Sequence, residues 1–257
     1  MTPGQQAKRS RQAILFFGCS VTFGEGVADD ETWPFYVSQM AKDFTVYNYG
    51  VFGYGPQQML VKLQDPELLN EVDEKKSAIL VYTYIDNHIE RVIGSLAANW
   101  TRKVPYFVRD GENHLIRKGS FISGRPFLTH LYDLMNKSAL IRFLYGRLHF
   151  PRISEEDIKL TARIIEESRN LFRERFKSNN FYVVIYPGNG YYVPRLAPYL
   201  ERAGIKYFDY SIRPNDAMKE HLPHDLHPSP KSYKAIALKL SHDLKLTEDA
   251  AELAAVH

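Results

Sequence analysis

The chain has a single cysteine among 257 residues, which excludes an internal disulfide framework and a multi-cysteine zinc site. It has no run of about eighteen or more apolar residues, which excludes a transmembrane helix in the sequence as given. Residues 1 to 12 are polar and basic and lack the apolar stretch of a secretory signal. The chain as it stands therefore reads as cytoplasmic, and as extracytoplasmic where a signal or anchor upstream of Met1 has been removed. Charge of one sign is also scarce. Against 33 Lys and Arg stand 30 Asp and Glu, a net charge of +3 scattered along the chain, so no nucleic-acid partner is expected. No internal repeat and no low-complexity segment occurs, and no oligomeric state follows from the sequence.

What is present is apolar residue in quantity. At 44% hydrophobic composition the chain can bury a sizeable core. The expectation is a flexible segment over residues 1–12, one domain over 13–247 with an insertion at about 94–151, and a tail over 248–257. Apolar runs of strand length occur at 13–17, 44–48, 78–84, 181–186 and 205–208. Most are continuously apolar instead of alternating, as strands covered on both faces require. Helical patterns lie between them at 33–42, 56–70, 155–177, 192–203 and 230–245. This alternation predicts an α/β fold, three-layered α/β/α, with a parallel five-stranded sheet. Ser154-Glu155-Glu156-Asp157 reads as an N-cap with acids in the first turn. Within the insertion, residues 106–116 read as a hairpin turning at Asp110-Gly111-Glu112-Asn113, and Leu131 to Leu148 as one or two amphipathic helices. That insertion is expected to serve as a cap or substrate wall, or else as a peripheral subdomain or dimer contact.

Four short elements carry chemistry. Gly18-Cys19-Ser20 ends the first strand, where ligands collect in doubly wound folds, and Gly24 and Gly26 follow in a Gly-x-Ser-x-x-x-Gly-x-Gly pattern. A serine hydroxyl is a poor nucleophile without a neighbouring base. Asn48-Tyr49-Gly50-Val51-Phe52-Gly53-Tyr54-Gly55 ends the second strand, where the Gly53 amide can face an oxyanion. Asp86-Asn87 follows the third strand. Asp225-Leu226-His227-Pro228 precedes the last helix and offers an imidazole with a carboxylate to orient it. His224, Asp225 and His227 could alternatively ligate a metal, but no carboxylate-rich partner motif accompanies them, and neither metal nor cofactor is expected.

In this order the four elements resemble those of the SGNH, or GDSL-like, hydrolase family. The resemblance covers about Ile14 to Ile93 and Phe181 to Lys245. It implies a flavodoxin-like strand order, with Ser20 as nucleophile, His227 as base and Asp225 as its partner. It also implies an oxyanion hole built from the amides of Ser20 and Gly53. Three departures stand out. Cys19 replaces the family's usual Asp, and reads as a small core residue. The usual Asn-Asp pair appears reversed as Asp86-Asn87, so a direct alignment sets a carboxylate where a donor belongs. Either Asn87 turns inward as third donor, which is the favoured expectation, or the hole has backbone donors alone, or the substrate differs. Asp86 and Tyr54 are expected to contact substrate. Finally, Asp225 stands two residues before His227, where three is commoner and would fall on His224. The implied activity is hydrolysis of an acyl ester, acetyl among them, on a small molecule or carbohydrate. The alternatives are O-acyl transfer by the same triad, or a noncatalytic ligand-binding protein of the same fold. A phosphate loop is not expected, since no Lys-Ser/Thr ending follows the glycines.

Overall fold

The computed structural model describes residues 10–72, 77–148 and 152–246. Residues 1–9 of the expected N-terminal segment and the expected tail at 248–257 lie outside the described residues. Strand β1 (Gln12–Gly18) leads into a one-turn helix α1 (Ser20–Phe23), followed by α2 (Trp33–Met40) and β2 (Phe44–Gly50). Helices α3 (Pro56–Gln64) and α4 (Glu67–Val72) precede β3 (Ser77–Tyr84) and α5 (Asn87–Ile93). A hairpin of β4 (Pro105–Arg109) and β5 (Leu115–Ser120) comes next. Helices α6 (Phe121–Gly124), α7 (Pro126–Met135) and α8 (Ala139–Leu148) then lead to the long helix α9 (Glu155–Phe176). The remaining elements are β6 (Phe181–Ile185), α10 (Val193–Arg202), β7 (Lys206–Asp209) and α11 (Pro230–Asp243).

The main sheet is wholly parallel and runs β2-β1-β3-β6-β7, the flavodoxin-like order. Strand β1 shows why its sequence is apolar without interruption. Ala13, Leu15 and Phe17 enter a core shared with α3, α9 and α10, while Ile14 and Phe16 enter a second core under α2 and α11. Successive side chains point to opposite faces, so a strand covered twice needs apolar residues at every position. In the second core the Phe16 and Trp33 rings meet edge to face with centroids 4.9 Å apart. Strand order reverses between β1 and β3, since the chain leaves β1 for β2 on one side and leaves β3 for β6 on the other. This opens a crevice above the carboxyl ends of the central strands.

Local signals are honoured where chemistry is local. Ser154 caps α9, its hydroxyl accepting from the Asp157 amide at 3.3 Å while the Asp157 carboxylate accepts from the Ser154 amide at 2.8 Å. The helix expected at 56–70 is instead two, because Pro66 interrupts it. Proline lacks an N–H and disfavours helical backbone in the residue before it, and Asp65 takes extended angles of φ −68° and ψ 120°. The hairpin forms as expected, and the helical segment after it begins earlier than expected, at Phe121 with the one-turn α6, followed by α7 from Pro126.

Candidate active site

Ser20 opens α1 directly above the end of β1 and is 8% exposed. Three contacts hold this turn down. The Thr22 hydroxyl donates to that of Thr83 on β3 at 2.6 Å, and both residues are fully buried. Asn48 on β2 donates to the main-chain carbonyls of Thr22 at 3.0 Å and Phe23 at 3.3 Å, and its side-chain oxygen accepts from the Gly50 amide at 2.9 Å. At Gly50 itself β2 comes so close to α1 that a Cβ would sit 2.5 Å from the Phe23 nitrogen. Asn48 and Gly50 thus make β2 a clamp on the serine turn.

The second half of the site hangs before α11. Residues 221–228 fold back on themselves, with the Leu222 amide donating to the His227 carbonyl at 2.8 Å. Ser229 caps α11 by accepting from the Ser232 amide at 3.2 Å, and Pro230 occupies its first turn. Gly26, at φ +85°, lets the loop after α1 pass under Leu222, where a Cβ would stand 2.4 Å from the Leu222 side chain. The two loops therefore interlock.

Through this docking, residues 207 apart in sequence meet. His227 Nε2 lies 2.9 Å from Ser20 Oγ, and His227 Nδ1 lies 2.7 Å from Asp225 Oδ1. The same Asp225 oxygen accepts from the His227 main-chain amide at 3.0 Å. That amide, and then the imidazole, hold the Asp225 carboxyl below the usual carboxylate range. With Nδ1 donating to Asp225, Nε2 is left as an acceptor for the serine hydroxyl. Among the described residues, neither the Ser20 amide nor the Gly53 amide donates to a protein acceptor. Gly53 sits at φ +80° beneath Trp100, whose ring a Cβ would approach to 2.7 Å.

Comparison with known proteins agrees with this arrangement at the level of architecture. No protein-family model matches the chain, and no curated protein matches it by sequence. Among solved structures, a psychrotrophic esterase from Pseudoalteromonas superposes with a TM-score of 0.52 at 12% identity, covering 91% of this chain and 97% of that one. A member of the lipolytic G-D-S-L family from Veillonella parvula superposes with a TM-score of 0.50 at 13% identity, covering 91% and 97%. An acetylxylan esterase from Geobacillus stearothermophilus gives 0.51 at 12% identity, covering 93% and 98%. The chain has the GDSL, or SGNH, hydrolase fold.

Within that fold, the reversed Asp86-Asn87 pair finds a physical explanation. The Asp86 carboxylate, read from the sequence as a substrate contact, accepts from the Tyr191 amide at 3.0 Å, the Tyr192 amide at 3.4 Å and the Tyr84 hydroxyl at 3.2 Å. Its charge is spent on tying the β6–α10 loop to the end of β3. Asn87, the first residue of α5, keeps an exposed side chain. Tyr54 is partly exposed, and its carbonyl accepts from Arg91 Nη1 at 2.8 Å. It also lines an apolar cavity of about 530 Å³ with Phe17, Tyr49 and Met59, which Ser20 and His227 do not line. Cys19 is fully buried in the core beneath α2 and α11.

Two contributors escaped the sequence reading. Glu25 brings a carboxylate oxygen to 3.4 Å from His227 Nε2, on the side of the ring that faces Ser20. Arg91, four residues after Asn87 on α5, lies under the Trp100 ring at 5.6 Å and fastens the loop that carries Gly53. Position was the only signal for either: Glu25 stands between the last two glycines of the first motif, and Arg91 one helical turn beyond the third element.

Proposed function

We propose that the protein is a serine esterase that hydrolyses a short acyl ester, acetyl foremost, on a carbohydrate. The observation that carries this reading is the unbroken chain of contacts from Asp225 through His227 to Ser20, at 2.7 and 2.9 Å. In the first step, Ser20 Oγ attacks the ester carbonyl while His227 Nε2 takes the hydroxyl proton. Asp225 holds the ring in the tautomer that can accept that proton, and stabilises the imidazolium that results. The carbonyl oxygen gains negative charge, for which the unspent amides of Ser20 and Gly53 are natural donors, with the Asn87 side chain as the third. Collapse of the tetrahedral adduct expels the alcohol oxygen, which receives the proton from Nε2. Water, deprotonated by the same nitrogen, then attacks the acyl-serine and releases the acid.

The substrate class rests on the rim of the site. Trp100 over Gly53 and Tyr191 beside Asp86 are 63% and 81% exposed, and such faces stack on sugar rings. Structural neighbours that include acetylxylan esterases favour the same class by analogy. The test is release of acetate from an acetylated oligosaccharide and of chromophore from a short-chain aryl ester, compared among wild type, Ser20→Ala and His227→Ala. Both variants should lose at least about 10³-fold in rate, and a fluorophosphonate should label wild type at Ser20 alone. Turnover by Ser20→Ala, or a wild type that neither labels nor hydrolyses any ester of a broad acyl panel, would refute the proposal. Free acid as the sole product in the presence of a sugar acceptor identifies hydrolysis; acylated acceptor identifies transfer.

A further inference from the structure

Helix α7 buries the wrong side of itself, and α8 after it exposes apolar side chains. On α7, Phe127, Leu131 and Leu134 fall at i, i+4 and i+7 and so share one face, the spacing by which a helix normally seats itself on a core. Here that face is exposed: Phe127 is 83% and Leu134 64% accessible, and Leu140 on α8 is 65%. The polar face of α7 is the one turned inward. Thr129 is fully buried, its hydroxyl donating to the Phe121 carbonyl at 2.9 Å, and Asp133 accepts from Asn99 at 2.8 Å and pairs with Arg102. Asn136, just past α7, donates to the Leu96 carbonyl at 3.0 Å. The helix is thus anchored through polar contacts, and its apolar stripe is left for something outside the chain.

Charge indicates what that is. Between Asn113 and Leu144 the sequence carries five Lys and Arg but one acid, Asp133, in a protein whose total net charge is only +3. That acid is the residue turned inward onto Arg102. Lys137 in the turn between the helices and Arg142 on α8 are both exposed. An apolar stripe bordered by the exposed cations Lys137 and Arg142 matches the interface of a bilayer with anionic headgroups. A second copy of the chain is a poor occupant, because an isologous contact would set the same cations against each other. We propose that the outward face of α7 and α8 docks the protein onto an anionic lipid surface. Among the described residues no helix is long and apolar enough to cross a membrane, so the contact is peripheral. The polar side of α7 rests on residues 96–102, which include Trp100 over Gly53.

The experiment is co-sedimentation of the full chain with vesicles of phosphatidylcholine alone, and with vesicles in which about one third is replaced by phosphatidylglycerol. Binding should be at least roughly tenfold tighter to the anionic vesicles and should weaken steeply as salt rises. Lys137→Glu should cost about fivefold or more. A Phe127→Ser/Leu134→Ser/Leu140→Ser variant should lose most binding while hydrolysing a soluble ester at the wild-type rate, since these side chains are exposed and hold none of the contacts made by Ser20, His227 or Asp225. Binding that ignores lipid charge, or survives the triple substitution, overturns the proposal. So does a wild-type dimer, measured by light scattering, that the triple substitution converts to monomer.

Discussion

Replacing Gly50 with alanine adds one methyl group where the edge strand β2 meets the turn that carries Ser20. The new Cβ would stand 2.5 Å from the Phe23 nitrogen and 2.7 Å from the Thr22 carbonyl carbon, main-chain atoms with no rotamer to yield. Gly50 is not among the residues of positive φ, so alanine meets a steric penalty and not a conformational one. Ordinary contact begins at 3.4 Å. Relief therefore requires α1 and β2 to separate by roughly 0.9 Å, an overpacking cost of about 1–3 kcal/mol. For a chain of this size that corresponds to a fall in Tm of roughly 2–12 °C. If α1 is the part that moves, Ser20 Oγ leaves its 2.9 Å contact with His227. A misplacement of about 1 Å in a reacting group costs on the order of 10²-fold in kcat/KM. The assay is kcat/KM on a short-chain aryl ester together with the fluorophosphonate labelling rate and a thermal melt. Gly111→Ala, where nothing lies within 4 Å, serves as the control with no expected change. A Gly50→Ala protein with lowered Tm but undiminished kcat/KM would mean that β2 retreats at its free edge. The clamp would then not be what positions the serine.

Other perturbations follow from the same contacts. Thr83→Val leaves the buried Thr22 hydroxyl without its acceptor and should destabilise by about 1–3 kcal/mol, whereas Thr22→Val/Thr83→Val should recover much of that loss in a denaturant titration. Glu25→Gln removes a negative charge beside His227 Nε2. It should raise kcat/KM for an anionic ester relative to a neutral one by roughly two- to fivefold at low salt, with the difference fading at high salt; an unchanged ratio would exclude Glu25 from the leaving-group side. The Asp225 carboxyl is held low in the folded state, so its contribution is present above the ordinary carboxylate value and is lost as pH falls through the depressed one. The difference in Tm between wild type and Asp225→Asn should accordingly persist down to about pH 4 and vanish below it. Disappearance between about pH 5 and 6 would contradict the assigned hydrogen bonds.

Strands, helices and chain punctuation were legible in the residues themselves, because each depends on chemistry within a few positions. Doubly covered strands such as β1 must be apolar at every residue, and Ser154 and Ser229 cap helices with their own hydroxyls. The Gly-x-Ser and Asp-x-His-Pro motifs were equally visible. Where local rules competed, position decided: Pro66 broke a pattern whose apolar spacing alone continued. Tertiary structure alone decided three things. It set Ser20 against His227, since hydrogen bonds between residues 207 apart depend on how loops dock at Gly26 and Leu222. It turned the Asp86 carboxylate to the amides of Tyr191 and Tyr192, which a dipeptide motif cannot foretell. And it faced the apolar stripe of α7 outward, because periodicity reports that a helix has two faces, while only the partners available to Thr129, Asp133 and Asn136 determine which one is buried.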